Sequence, residues 1–293
     1  MTELRIGGAR VARVEESYEP NFDARRFFPD WDPAELERHR GWMVPDHFDP
    51  VSGMLKLSMH SWLIKIGGKN VLIDACVGNH KPRAVRPQWH EKEWPYLERL
   101  RDAGVSPADI HMVMCTHLHV DHVGWNTRLD NGRWVPTFPN ARYVFSHEEY
   151  NHHLAVDRDP ARGPANYGAF RDSVLPVIEA GLGQLVAGAA EIDEHFSVQP
   201  APGHTPGTVA IHCRSKGSHA LFCGDILHHM IQVYRPEWSS FACADAEQSR
   251  RSRRRVLEEC AGSGAVLLPA HFGAPHYCRI ESAGAGFVPR LGA

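Results

Sequence analysis

The stretch Thr116-His117-Leu118-His119-Val120-Asp121-His122 sets three imidazoles and a carboxylate within six residues, directly after the apolar segment 110–115. Imidazole nitrogen and carboxylate oxygen are the common protein ligands of zinc and similar ions. In an extended turn, residues two apart point the same way. His117 and His119 can therefore grip one ion while the chain reverses and brings Asp121 and His122 to a second. Three more candidates stand beside glycine or proline turns: His204 in Ala201-Pro202-Gly203-His204-Thr205-Pro206-Gly207, Asp225 in Phe222-Cys223-Gly224-Asp225, and His271 in Pro269-Ala270-His271-Phe272. At such turns the backbone can approach an ion closely and fix a side chain. A lone histidine would be read as packing. Seven such residues together ask for a cation, because buried polar groups without partners are costly.

The elements that must position these residues are legible in outline. Residues 55–66, the turn Gly67-Gly68-Lys69-Asn70 and residues 71–75 read as a hairpin of apolar and β-branched residues around glycines. A short amphipathic helix over 96–103 precedes the buried strand 110–115, which delivers Thr116 and the first histidines at its carboxyl end. Further strands are expected at 142–146, 196–199, 208–213, 220–223 and 265–269, and helices from His147, over 169–180 and over 245–261. Strands followed by helices in both halves suggest two similar lobes whose sheets face each other with helices outside. Residues 1–54, rich in Pro, Asp and Trp with a short helix at 33–40, read as an N-terminal extension wrapping a single domain; residues 147–190 read as an inserted cap.

Composition narrows the partners. With 293 residues, 43% hydrophobic and 23% charged, and a formal net charge of -3, the chain has no bulk electrostatic case for nucleic acid or an anionic membrane. No apolar stretch approaches the roughly 18–20 residues that span a bilayer, and the amino end lacks a secretory core. A cytoplasmic protein acting on a small molecule is expected, with a homodimer left open. The seven cysteines form no CxxC pair, which suggests reduced thiols, whereas the 20 histidines point towards metal.

The pattern HxHxDH followed by a separate His, Asp and His resembles the metallo-β-lactamase superfamily of dinuclear hydrolases. The resemblance implies an α/β fold, an αββα sandwich of two facing mixed sheets with the site between them. It also implies that His117, His119 and His204 hold one metal, Asp121, His122 and His271 a second, and that Asp225 bridges them. Asp74, after the strand Val71-Leu72-Ile73, matches the early aspartate that supports the metal loop together with Thr116. The 87 residues from His117 to His204 and the 21 from there to Asp225 resemble methyl parathion hydrolase and related lactonases.

Two divalent ions, with zinc first and iron, manganese or cobalt also accepted by such ligands, would acidify a bridging water to near neutrality. The reaction expected is attack of that hydroxide on a lactone or carboxylic ester, with Asp121 carrying the proton to the leaving group. A phosphotriester is the alternative substrate. A mononuclear iron persulfide dioxygenase is the redox rival, against which the second set, His122 and His271, argues. His228 and His229 either face the substrate or pack. Among the tryptophans, Trp125 is the one expected in the pocket, because it follows a ligand by three residues. The run Arg250-Arg251-Ser252-Arg253-Arg254-Arg255 reads as a solvated helix face.

Overall fold

The computed structural model describes residues 3–292. In chain order its strands are β1 (Leu4–Ile6), β2 (Ala9–Asp23), β3 (Phe48–Asp49), β4 (Met54–Ile66), β5 (Lys69–Ile73), β6 (Met112–Met114), β7 (Thr127–Asp130), β8 (Arg133–Pro136) and β9 (Arg142–Ser146). They continue as β10 (Gly183–Val186), β11 (Ala190–Glu191), β12 (Phe196–Pro200), β13 (Val209–Ser215), β14 (Ser218–Gly224), β15 (Val266–Pro269), β16 (Cys278–Ala283) and β17 (Gly286–Arg290). One sheet runs β1-β2-β4-β5-β6-β9-β10, with β3 paired to β4; the second runs from β11 to β17 in sequence order; β7 and β8 form a separate hairpin.

Side chains alternate across a strand, and the two periods of apolar residues in each strand have separate destinations. Trp62, Ile64, Val71, Ile73 and Met114 of the first sheet meet Ile211, Phe222, Val266 and Leu268 of the second, and they form the layer between the sheets. The intervening residues Leu63, Leu72, Val113 and Tyr143 face outward onto the helix Tyr96–Asp102 and the segment around Phe170. On the other side Leu221, Cys223 and Leu267 face the helix Ala246–Ser263. This is the αββα sandwich. The glycine pair after Ile66 makes the expected tight hairpin, with Ile66 opposite Lys69 and positive φ at Gly67 and Gly68.

Three boundaries differ from the sequence reading. Residues 4–23, assigned to the extension, are β1 and β2. The long β2 pairs along almost the whole of β4, so only residues 24–53 wrap the domain. Tyr, Glu and Pro interrupt the alternation of β2, and two register shifts absorb the mismatch, which hid the strand. Residues 147–190 form a crossover as well as a cover, because they include β10, parallel to β9 at the sheet edge, and reach the start of β11 in the second sheet. Helix over 169–180 begins as a wide π-turned segment, Phe170–Val174, and becomes α-helical only at Leu175–Glu179. The arginine run is also divided. Arg251, Arg254 and Arg255 are exposed, but Arg253 is buried and donates to Ile226 O at 2.9 Å and Pro236 O at 2.7 Å.

Candidate metal centre

β5 and β6 are parallel, so Asp74 and Thr116 leave the first sheet at the same end. β14 and β15 are parallel with Gly224 opposite Pro269, which releases Asp225 and His271 together from the second sheet. His204 lies in the loop between β12 and β13. All seven candidates converge where the two sheets' strand ends meet. His117, His119, His204 and Asp225 form one cluster, and Asp121, His122 and His271 another.

In the first cluster His204 Nε2 lies 3.1 Å from His117 Nε2 and 2.9 Å from His119 Nδ1. Asp225 Oδ2 is 3.2 Å from His204 Nε2. Its other oxygen, Oδ1, faces the second cluster, 3.2 Å from His122 Nε2 and 3.0 Å from His271 Nε2. Asp121 Oδ2 stands 3.5 Å from His271 Nε2.

Outward hydrogen bonds fix these rings. His122 Nδ1 donates to Asp74 Oδ2 at 2.9 Å, and His271 Nδ1 donates to Ser58 O at 2.9 Å. Thr116 gives both its amide and its hydroxyl to Asp74, at 2.8 and 2.9 Å, which leaves its oxygen to accept from His117 Nδ1 at 3.2 Å. With Nδ1 engaged outward in these three histidines, each Nε2 is the atom turned inward; against the effect of burial, Asp225 raises both His122 and His271 above the usual histidine range, so a cation binding there would displace a proton. Gly224 is required here: with φ +46, a Cβ on it would lie 2.3 Å from Thr116 Oγ1.

The donor set fits metal. His122 Nε2 and Asp225 Oδ1 are buried and have no hydrogen-bond partner, a costly arrangement unless a cation lies between them. Burial and the neighbouring imidazoles hold His117 and His119 well below the usual histidine range, so they are lone-pair donors at neutral pH. Burial also opposes ionisation of Asp225, yet His271, His122, His228 and His204 hold its carboxyl well below the usual carboxylate range.

The remaining candidates separate. His228 is in the cleft, with Nε2 3.2 Å from Asp225 Oδ2 and 3.3 Å from Ser240 Oγ. His229 is not. Its ring points away from the clusters to His47 O, 3.2 Å from Nε2, and Nδ1 accepts the Ile231 amide. Trp125 is also withdrawn from the cleft: it stacks on Tyr96 at 5.0 Å and donates Nε1–H to Glu16 Oε1 at 2.7 Å. Three residues after a ligand, the helical turn Val120–Val123 has already carried the chain to the far side of the loop. Trp89 lines the cleft instead.

Sequence reasoning missed two carboxylates. Glu149 accepts the Leu118 amide at 3.1 Å, the Gly207 amide at 3.0 Å and His153 Nε2 at 3.0 Å, tying the histidine loop to the His204 loop. The signal was Ser146-x-x-Glu149, a capping-box spacing in which Ser146 does cap the helix while Glu149 turns to the ligand loops. Glu16 of β2 accepts from Val77 N at 3.0 Å and Gly78 N at 2.9 Å. No local motif marks it.

Above the clusters opens a cleft of about 840 Å³. Phe22, Phe27, Leu57, Met59 and Trp89 give it an apolar wall, while His152 and Arg162 from the crossover segment face them.

Residues 57–271 match the family model of the metallo-beta-lactamase superfamily. Over 176 residues the chain is 27% identical to metallo-beta-lactamase domain-containing protein 1 of Xenopus laevis, a match covering 60% of this chain and 59% of that protein. Among solved structures, AidC, described as a dizinc quorum-quenching lactonase, is similar with a TM-score of 0.79 at 20% identity, over 100% of this chain and 97% of its own. The hydrolase AbOPH, described as of the beta lactamase superfamily, has a TM-score of 0.82 at 21% identity, over 99% and 97%. Described helices include none long and apolar enough to cross a membrane. The matched span reaches from β4 to the last residue of the two clusters, and on that match the chain belongs to the metallo-beta-lactamase superfamily.

Proposed function

We propose that the chain is a metal-dependent hydrolase that takes two divalent ions, zinc in the first instance, and opens a lactone or cleaves a carboxylic ester. The observation that carries this reading is Asp225, which turns one oxygen to each of two His/Asp clusters at the floor of an apolar cleft. His117, His119 and His204 would hold one ion, Asp121, His122 and His271 the other, with Asp225 shared. The bound ions would supply Lewis-acid polarisation of the scissile carbonyl and a water acidified to near neutrality.

The chain's own groups do the rest. Asp121 is half-buried and lines the cleft, so its carboxylate can take a proton from the attacking water and return it to the departing alkoxide. Burial holds His228 at a pKa of about 4, which makes it a neutral imidazole at physiological pH. Its Nε2–H donates to Asp225 Oδ2 and orients that carboxylate, while the ring edge offers a polar contact beside the substrate. Phe22, Phe27 and Met59 would take the acyl portion and exclude water. The full-length likeness to a lactonase supports the choice of an acyl substrate.

Elemental analysis together with turnover on lactones, aryl esters and phosphotriesters tests the reading. The expected result is close to two ions per chain and highest turnover on a lactone or ester. Preference for phosphotriesters would replace the substrate class. One tightly held iron with oxygen consumption on a persulfide would overturn the hydrolase reading itself.

A further inference from the structure

A second convergence of ligand atoms lies at the opposite end of the second sheet. β13 starts just after the His204 loop and β14 runs into Asp225, so the turn between them stands away from the cleft. His219 precedes Asp225 by six residues, about 20 Å along an extended strand. The register pairs Arg214 with His219 and His212 with Leu221, which puts His212, Arg214 and His219 on one face of the hairpin. Leu221 packs among the residues of the helix Ala246–Ser263, so this is the outer face. Glu259, near the carboxyl end of that helix, completes the group.

The geometry is that of a ligand set. His212 Nδ1 lies 3.0 Å from His219 Nε2 and 3.4 Å from Glu259 Oε1, and the three atoms are mutually within 4.8 Å. Bonds of ~2.0–2.1 Å from zinc to nitrogen and oxygen set tetrahedral neighbours roughly 3.3 Å apart. The nitrogens and oxygens gathered around His204 in the cleft have the same spacing, 2.9–3.2 Å. The two rings lie within 18° of parallel with their centroids 5.2 Å apart, and the Nδ1 of one and the Nε2 of the other are their nearest polar atoms. Burial, reinforced by His219 and Arg214 at His212 and by Arg214 at His219, holds both at a pKa of about 4, leaving unprotonated rings at neutral pH. Arg214 itself turns to Ser197 Oγ at 3.1 Å and leaves the carboxylate to the imidazoles.

We propose that His212, His219 and Glu259 form a further metal site, separate from the cleft, for a single divalent ion of the zinc class with water completing its coordination. Two ligands on a rigid hairpin and one on the packed helix make the ion a staple between sheet and helix. Its position on the outer face keeps it out of contact with substrate.

The test uses the full chain already loaded with zinc, then equilibrated with a small excess of free zinc and analysed for metal per chain. His219→Ala and Glu259→Gln are the variants, chosen because both side chains are partly exposed, whereas His212 is buried and its loss could disturb folding. The wild-type chain is expected to hold one more equivalent than either variant, and its thermal midpoint to rise with zinc where theirs does not. Turnover should be the same in all three. Equal metal content in the wild type and both variants would overturn the proposal and leave the trio as a hydrogen-bonded pair of imidazoles beside a carboxylate. All three chains share the same cleft, so this difference is independent of how many ions the cleft takes.

Discussion

The two halves of the sandwich present their candidate ligands in opposite ways. The first sheet supplies His117, His119, Asp121 and His122 from one continuous loop, whereas the second supplies His204, Asp225 and His271 singly, from three places. A loop that spends its side chains on an ion has few left to hold itself, so the first half is braced from outside. Asp74 grips Thr116 and His122, and Glu149 takes the Leu118 amide. The second half relies mainly on backbone, with Glu149 also taking the Gly207 amide. Gly224 and Pro269 are paired neighbours in parallel strands, and the His204 loop is closed by Ala201 N to Thr208 O at 2.8 Å and Ala244 N to His204 O at 2.9 Å. Dense ligands borrow rigidity from distant carboxylates, and dispersed ligands take it from strand pairing.

Asp225 is where the halves meet, and its loss should have the largest effect. Asp225→Ala is expected to abolish turnover and to lower metal retention by more than the roughly 10–100-fold that loss of an outer partner costs. Elemental analysis and activity on the same sample check this; full metal content with most of the turnover would show that the two clusters do not depend on a shared carboxylate. His228 comes next. His228→Ala should lower the catalytic rate about 10²-fold with metal content and thermal midpoint nearly unchanged, the range usual for loss of a positioned hydrogen-bond donor. Loss of stability with normal specific activity in the folded fraction would make it a packing residue.

The same contrast decides what could be read from the sequence. The candidate ligands were legible because chemistry restricts their types, and because the first four follow an apolar strand while His204, Asp225 and His271 stand beside glycine or proline turns. The facing sheets were legible from strands followed by helices in both halves of the chain. β2 was not, because Glu16, Tyr18 and Pro20 break its pattern, and Glu16 proves to be a buried brace for the Val77 and Gly78 amides. Glu149 was masked by its capping-box position, and Arg253 by its exposed neighbours. Trp125 was misplaced because spacing from a candidate ligand fixes distance along the chain, whereas a helical turn decides direction, and of the two roles left open for His229 it takes the packing one. Braces are invisible to local reading because they join residues far apart in sequence, as Glu16 does with Trp125.

The braces themselves can be tested. Asp74→Ala should cost roughly 10–100-fold in metal affinity, because His122 loses the acceptor that holds its Nδ1–H. Glu149→Gln should act through stability as well. Burial opposes ionisation of Glu149, but hydrogen bonding and charge from His153 bring its pKa down from 4.5 to about 2. A carboxyl depressed on folding stabilises the native state above its unfolded pKa, and that stabilisation is lost as pH falls through the folded value. In metal-free protein, the gap in thermal midpoint between wild type and Glu149→Gln should therefore be widest near neutrality and close between about pH 4.5 and pH 2. A gap independent of pH would mean that the carboxylate's charge plays no part in holding the two loops.

The smallest effect is expected in the second half, at Cys243. Its thiol sits 3.7 Å from His204 Nδ1 and is shared with Ser249 Oγ at 3.4 Å and Ser240 Oγ at 3.5 Å. It occupies the place relative to His204 that Asp74 occupies relative to His122, but sulfur is a weak hydrogen-bond partner at this distance, and although, against the effect of burial, hydrogen bonding and charge from His204 bring the thiol down to about 7, it is only partly ionised near neutrality. What orients His204 is the closed loop around it: Thr205 N reaches Thr208 Oγ1 at 3.0 Å, Asp245 N reaches Gly203 O at 2.9 Å, and Gly203 packs so tightly that a Cβ there would lie 2.1 Å from Ser249 N. Cys243→Ala should then weaken metal binding by well under the roughly 10-fold lower bound for removing a strong outer partner. Competition with a chelator, run in parallel on Cys243→Ala and Asp74→Ala, measures the two losses on one scale. If Cys243→Ala lost as much affinity as Asp74→Ala, backbone closure would not be what holds His204, and both halves would depend on side-chain braces in the same way.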